Sequence, residues 1–190
     1  MTRTLKVALA SAVLLLAPAC TAIAQMPAAA PAAKAPDPTP ISEVMAAYKQ
    51  TRTIIIASAQ LMPAENFSFK ATPDIRTYAQ MFTHVAQAQE SICSLIAGTA
   101  TATRPVESTA ATKDDVLAVI KKSFDTCDAA YASVTEANMN EVSGSGYFRG
   151  TKIGNMWKNV AHNNEMYGQM VIYMRLKGLV PPSTAMRGRM

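Results

Sequence analysis

Apolar residues recur at steps of three and four in four separate segments of this chain, and that periodicity restricts its fold more than any other feature. Such spacing lays one apolar stripe along an α-helix, whereas a half-buried strand would alternate every second residue, and no stretch does so. The first segment runs from Ser42 to Leu61, with Val44, Met45, Tyr48, Thr51, Ile55 and Leu61 on its stripe, and Met62-Pro63 stops it. The second is expected to open at Thr72-Pro73-Asp74. There Thr72 would cap, Pro73 would fit the first helical position and Asp74 would face the positive end of the dipole. Its stripe is Ile75, Tyr78, Phe82, Val85, Gln89, Ile92 and Ile96, and Gly98 closes it. The third opens at Thr112, with Asp114 and Asp115 in its first turn, and reaches about Val134. The fourth opens near Thr151 and ends at Lys177-Gly178, with a stripe of Ile153, Trp157, Val160, Asn164, Tyr167, Val171 and Met174. Four amphipathic helices of this length predict an all-α, four-helix bundle.

The segments before the first helix are of a different kind. Residues 1–24 carry Arg3 and Lys6, an apolar run from Val7 to Ala17, and Ala22-Ile23-Ala24, the pattern of a secretory signal peptide. Cys20 offers the alternative of a lipoprotein anchored there, but "LAPAC" is a poor lipobox. Residues 25–40 are Ala/Pro-rich and aperiodic, the composition of a linker. That leaves residues 41–185 as the folding unit and 186–190 as a tail. The expected location is periplasmic or secreted, with no membrane attachment after signal cleavage.

Charge excludes one class of partner. The formal net charge of +5 falls to +3 once Arg3 and Lys6 are removed, and the remaining Lys and Arg form no cluster. A nucleic-acid surface needs a basic stripe, so no nucleic-acid partner is expected. The sequence also lacks G-x-S-x-G, P-loop and Rossmann fingerprints.

Processing would leave two cysteines, Cys93 and Cys127, an even number in an exported chain. They are either two buried thiols or a disulfide. A disulfide requires Cα atoms within roughly 7 Å. Cys93 lies late in the second helix and Cys127 about midway along the third. At about 1.5 Å per residue their heights differ by roughly 15 Å if those helices are antiparallel and about 5–8 Å if they are parallel. A bond therefore favours a parallel pair, with the long 98–112 connection running back along a helix.

The chain has two histidines, His84 and His162. Each lies two residues from a stripe position, Phe82 and Val160, or about 200° round its helix, so the core pattern explains neither. Met166, Gln169 and Tyr173 share the His162 face, with Asn155 below. On spacing alone, two surface histidines are the simpler reading. Residues 162–166 read His-Asn-Asn-Glu-Met, which is no H-E-x-x-H, and two histidines are fewer than a zinc site usually shows.

"LMPAENFSFKATPDIRTYAQMFTHVAQAQESIC" and "HNNEMYGQMVIYMRLKGLVPPST" resemble the DinB-like superfamily, in particular its exported bacterial branch. The resemblance spans roughly residues 42–184 and implies an up-down-down-up bundle with helices two and three parallel. It implies a divalent metal, zinc or nickel, held by one histidine of helix two and an H-x-x-x-H pair of helix four. His84 and His162 match the first two positions, and Met166 stands at the third. A thioether is a soft, neutral ligand and a poor replacement at a zinc site. Three outcomes stay open: a vestigial site in a non-catalytic bundle, a two-histidine site completed by water or another side chain, or a site selective for a softer ion such as Cu(I). The resemblance further implies metal-dependent hydrolase or transferase chemistry, a small-molecule substrate it does not identify, and pairing as a homodimer. The competing class is a binding bundle, with Gln169 and Tyr173 lining a cleft for a small ligand or partner.

Overall fold

A computed structural model describes residues 37–99 and 107–188, save the side chain of Tyr147. The signal peptide, Cys20 and most of the linker lie outside the described residues. Helix α1 spans Pro40–Leu61, α2 Tyr78–Ala97, α3 Lys113–Ala132, α4 Lys152–Leu176, and a short α5 Pro182–Arg187. The polar loop before α4 holds a two-stranded antiparallel hairpin, β1 Val142–Ser143 with β2 Gly150–Thr151, which periodicity did not announce.

Side-chain contacts fix the direction of every long helix. Ser123 Oγ donates to Gln89 Oε1 at 2.7 Å, and four residues further along both helices Cys93 is bonded to Cys127, with Cα atoms 5.1 Å apart. Contacts that advance together make α2 and α3 parallel. Against α4 the numbers run oppositely: Arg76 meets Tyr173, His84 meets His162 and Cys93 meets Asn159. Tyr48 of α1 reaches Asp128 of α3, while Met62, just past α1, takes Lys113 at the start of α3. The bundle is therefore up-down-down-up, as the resemblance implied, with the parallel α2–α3 pair that a cysteine bond favours.

The helix ends follow local chemistry with one instructive exception. Thr39 and Ser42 form a capping box on α1, which begins two residues earlier than its stripe suggests. Lys113 Nζ donates to the carbonyls of Gln60 (2.7 Å) and Met62 (2.9 Å), placing a cation on the negative end of α1. Thr112 and Thr151 cap α3 and α4 as expected. The exception is α2. It starts at Tyr78 behind the N-cap Thr77, not at Thr72-Pro73-Asp74, and Ile75 lies outside it with 39% of its surface exposed. The reason is where the free amides go. Phe69 O accepts from the Tyr78 amide and Phe67 O from the Ala79 amide, both at 2.9 Å, while Thr77 Oγ1 takes the Gln80 amide at 3.1 Å. The aromatic segment, anchored by buried Phe67 against Tyr78 and Phe82, thus sets the first turn. Thr77→Ala is expected to cost about 1 kcal/mol in urea denaturation at unchanged m-value. A loss under about 0.3 kcal/mol would mean that the phenylalanine carbonyls suffice.

A second correction concerns α4. Val160, Tyr167 and Met174 of the expected stripe are buried, but Trp157 is 43% exposed and Asn164 is also exposed, whereas Asn155, Met156, Asn159, Asn163, Met166, Met170 and Tyr173 are buried. The buried face is centred up to one residue earlier than expected, a rotation of as much as about 100°. Three asparagines spaced by four lie on it, so a reading by apolar type selects the wrong line. Two of them bond inside the core, Asn159 Nδ2 to the Tyr131 hydroxyl and Asn155 Nδ2 to Ser143 Oγ, each at 3.2 Å. Hydrogen bonding makes burial of such amides tolerable.

Candidate functional site

His84 sits in the first half of α2 and His162 near the middle of α4. Because these helices run antiparallel and touch, the two rings meet in the seam between them. The Nε2 atoms are 3.4 Å apart and the ring centroids 5.3 Å, with an interplanar angle of 58°. Both side chains are half-buried. Neither is an isolated surface histidine, and each owes its place to the edge of a core face rather than to its centre.

The separation has a chemical meaning. Two nitrogens bound to one tetrahedral ion at about 2.0–2.1 Å stand about 3.3 Å apart. A neutral N–H···N hydrogen bond is usually shorter, about 3 Å. The pair therefore fits the spacing of two ligands to one ion better than a direct hydrogen bond. Among the described residues no group of three His, Cys, Asp or Glu converges as a metal-binding cluster. Met166, one turn beyond His162, is 4% exposed and belongs to the core cluster. It shares the buried face of α4 instead of standing opposite that face.

The far edge of His84 is occupied by residues that spacing did not single out. Glu107 Oε2 lies 3.7 Å from His84 Nδ1, and its other oxygen accepts from Thr83 Oγ1 at 2.8 Å. Arg76 Nη2 lies 3.3 Å from the same Nδ1. A carboxylate behind a histidine is the usual support for a metal ligand, since it fixes tautomer and ring orientation. The sequence did hold one signal for Glu107. It is the sole acid between Gly98 and Thr112, and a connection between parallel helices must travel back past the first half of α2.

A cavity of about 540 Å³ shares Arg76 with the His84 surroundings and is lined by Ile75, Arg76, Met81, Gln169, Ile172 and Tyr173 among others, with neither histidine in its lining. Gln169 is exposed along it; Tyr173 is buried and donates its hydroxyl hydrogen to the Arg76 carbonyl at 2.6 Å. Burial raises the Tyr173 phenol above its ordinary pKa, with Arg76 opposing. A second cavity, about 630 Å³, is also lined by Arg76, together with Glu107, Thr77 and Gln80. Residues 143–150 lie elsewhere. A Cβ on Gly144, whose φ is +78°, would stand 2.5 Å from Phe148 O and 3.4 Å from Leu95, at the opposite end of α2 from His84. That segment is a loop remote from the histidine pair.

Compared by sequence, the chain matches no protein-family model and no curated protein. Compared by structure, it is similar to a DinB-like protein from Bacillus cereus, with 16% identity, a TM-score of 0.63, and coverage of 73% of this chain and 93% of that one. A DinB-like protein from Bacillus subtilis gives 14% identity and a TM-score of 0.62, covering 73% and 94%. A mycothiol-dependent maleylpyruvate isomerase gives 15% identity and a TM-score of 0.56, covering 70% of this chain and 60% of that one. The fold of this chain is thus the four-helix bundle of the DinB-like proteins.

Proposed function

We propose that this chain is an exported member of the DinB-like superfamily that carries a divalent-metal site reduced to two histidines, His84 and His162, with Met166 at the third ligand position. The observation that supports it most is the 3.4 Å separation of the two Nε2 atoms, together with a carboxylate behind His84. Zinc or nickel suits imidazole donors, and water would complete the shell. When bound, such an ion supplies positive charge that polarises an oxygen or activates water. The chain's own contribution is to hold two imidazoles in register across the α2–α4 seam. Export is supported by the signal-like residues 1–24 and by the Cys93–Cys127 bond, since disulfides persist in oxidising compartments. Low-molecular-weight thiols are scarce there, which favours hydrolysis over thiol transfer.

Equilibrium dialysis of the mature, tag-free protein against excess zinc or nickel tests the site. About one equivalent is expected for the wild type, and its loss in His84→Ala and in His162→Ala. Less than about a tenth of an equivalent in the wild type would overturn the reading.

The cavity at Gln169 and Tyr173 favours a second reading, a binding bundle without catalysis. At about 540 Å³ it has the size and mixed lining of a small-molecule site.

A further inference from the structure

A neutral imidazole carries one N–H, and its two nitrogens hold opposite roles. At His84 those roles are contested. Arg76 Nη2, 3.3 Å from Nδ1, can only donate. Glu107, 3.7 Å from the same nitrogen, only accepts when ionised. If Nδ1 accepts from Arg76, the ring hydrogen sits on Nε2 and points into the gap facing His162, where no lone pair is then offered. If Nδ1–H donates to Glu107, the Nε2 lone pair faces that gap. Both contestants are held from behind, Glu107 by Thr83 Oγ1 and the Arg76 backbone by the Tyr173 hydroxyl.

We propose that Glu107 and Arg76 are opposed positioning residues that set the tautomer of His84, Glu107 favouring the form able to ligate a metal and Arg76 the form unable to. The shorter Arg76 contact makes the Nε2–H form the one adopted without metal, so that metal binding transfers Nδ1 from Arg76 to Glu107. The consequence for affinity rests on the two-histidine metal reading; the tautomer preference does not.

The experiment is nitrogen-15 NMR of the imidazole rings without metal, at about pH 8.5 where ordinary histidines are neutral, followed by zinc titration. In the wild type without metal, His84 is expected as Nε2–H. Arg76→Met, at an exposed position, should convert it to Nδ1–H and tighten zinc about tenfold, whereas Glu107→Ala should keep Nε2–H and weaken zinc about 10–100-fold. Circular dichroism checks that both variants fold. An unchanged His84 tautomer in Arg76→Met overturns the proposal, as does undiminished zinc affinity in Glu107→Ala. If no variant binds zinc, the metal reading fails, yet conversion of the tautomer in Arg76→Met still supports the contest at Nδ1 and its absence still refutes it.

Discussion

Converting both Cys93 and Cys127 to alanine is expected to remove about 4 kcal/mol of stability. The bond closes a loop of sequence separation 34, and the chain-entropy relation for a ring of that size gives about 3.8 kcal/mol at 25 °C. Lost packing adds to this, since both cysteines are fully buried in the core where α2, α3 and α4 meet. For a domain of this size the midpoint of thermal unfolding should fall by about 10 °C. Differential scanning calorimetry of the double variant beside the oxidised wild type measures it. A drop below about 2 °C would mean that the reduced chain already holds α2 and α3 together when unfolded. The same bond explains how parallel helices are kept side by side when their connection is long enough to let them drift.

Met166→His is expected to tighten zinc about a hundredfold, or about 2.7 kcal/mol. The position is one turn beyond His162, and its burial means that a ligand there is already held by packing. Three imidazoles make a recognised zinc donor set, whereas two leave half of a tetrahedral shell to water. Competition against a chromophoric chelator reads the affinity. A zinc-dependent rise in melting temperature, larger than in the wild type, is the second readout. Unchanged affinity would shift the balance to a ligand-binding role for the cavity at Gln169 and Tyr173.

The bundle was legible because each helix signals itself locally. Thr112, Thr151, Gly98 and Gly178 mark ends by their own backbone chemistry, and the structure places them at or within two residues of those ends. The start of α2 was misread because Thr72-Pro73-Asp74 carries every local start signal. The carbonyls that decide the matter, those of Phe67 and Phe69, act through a fold-back that no window on the helix contains. The face of α4 was misread because asparagines 155, 159 and 163 occupy a buried line, satisfied in part by tyrosine and serine from other elements. The histidine pair itself was visible only through a family resemblance, because spacing alone put both rings on the surface. Arg76 and Glu107 escaped periodicity for a different reason: both lie outside helices, where it says nothing about direction, and only the standing of Glu107 as the sole acid between Gly98 and Thr112 pointed to it.

Asn159 of α4 places its Nδ2 3.8 Å from each sulfur of the Cys93–Cys127 bond, and neither cysteine has exposed surface. Thiol–disulfide exchange requires a thiolate to reach one sulfur along the axis of the bond. No reductant can do that while the helices around the bond stay packed. Reduction therefore proceeds only through openings of the bundle, and where reclosing is fast its rate is the open population multiplied by the rate of thiolate attack. α4 also carries His162, so an opening in which α4 lifts exposes the sulfurs and takes the histidine pair apart together. Measured at a fixed concentration of one thiol, the rate of reduction thus follows how much of the time the bundle stands open.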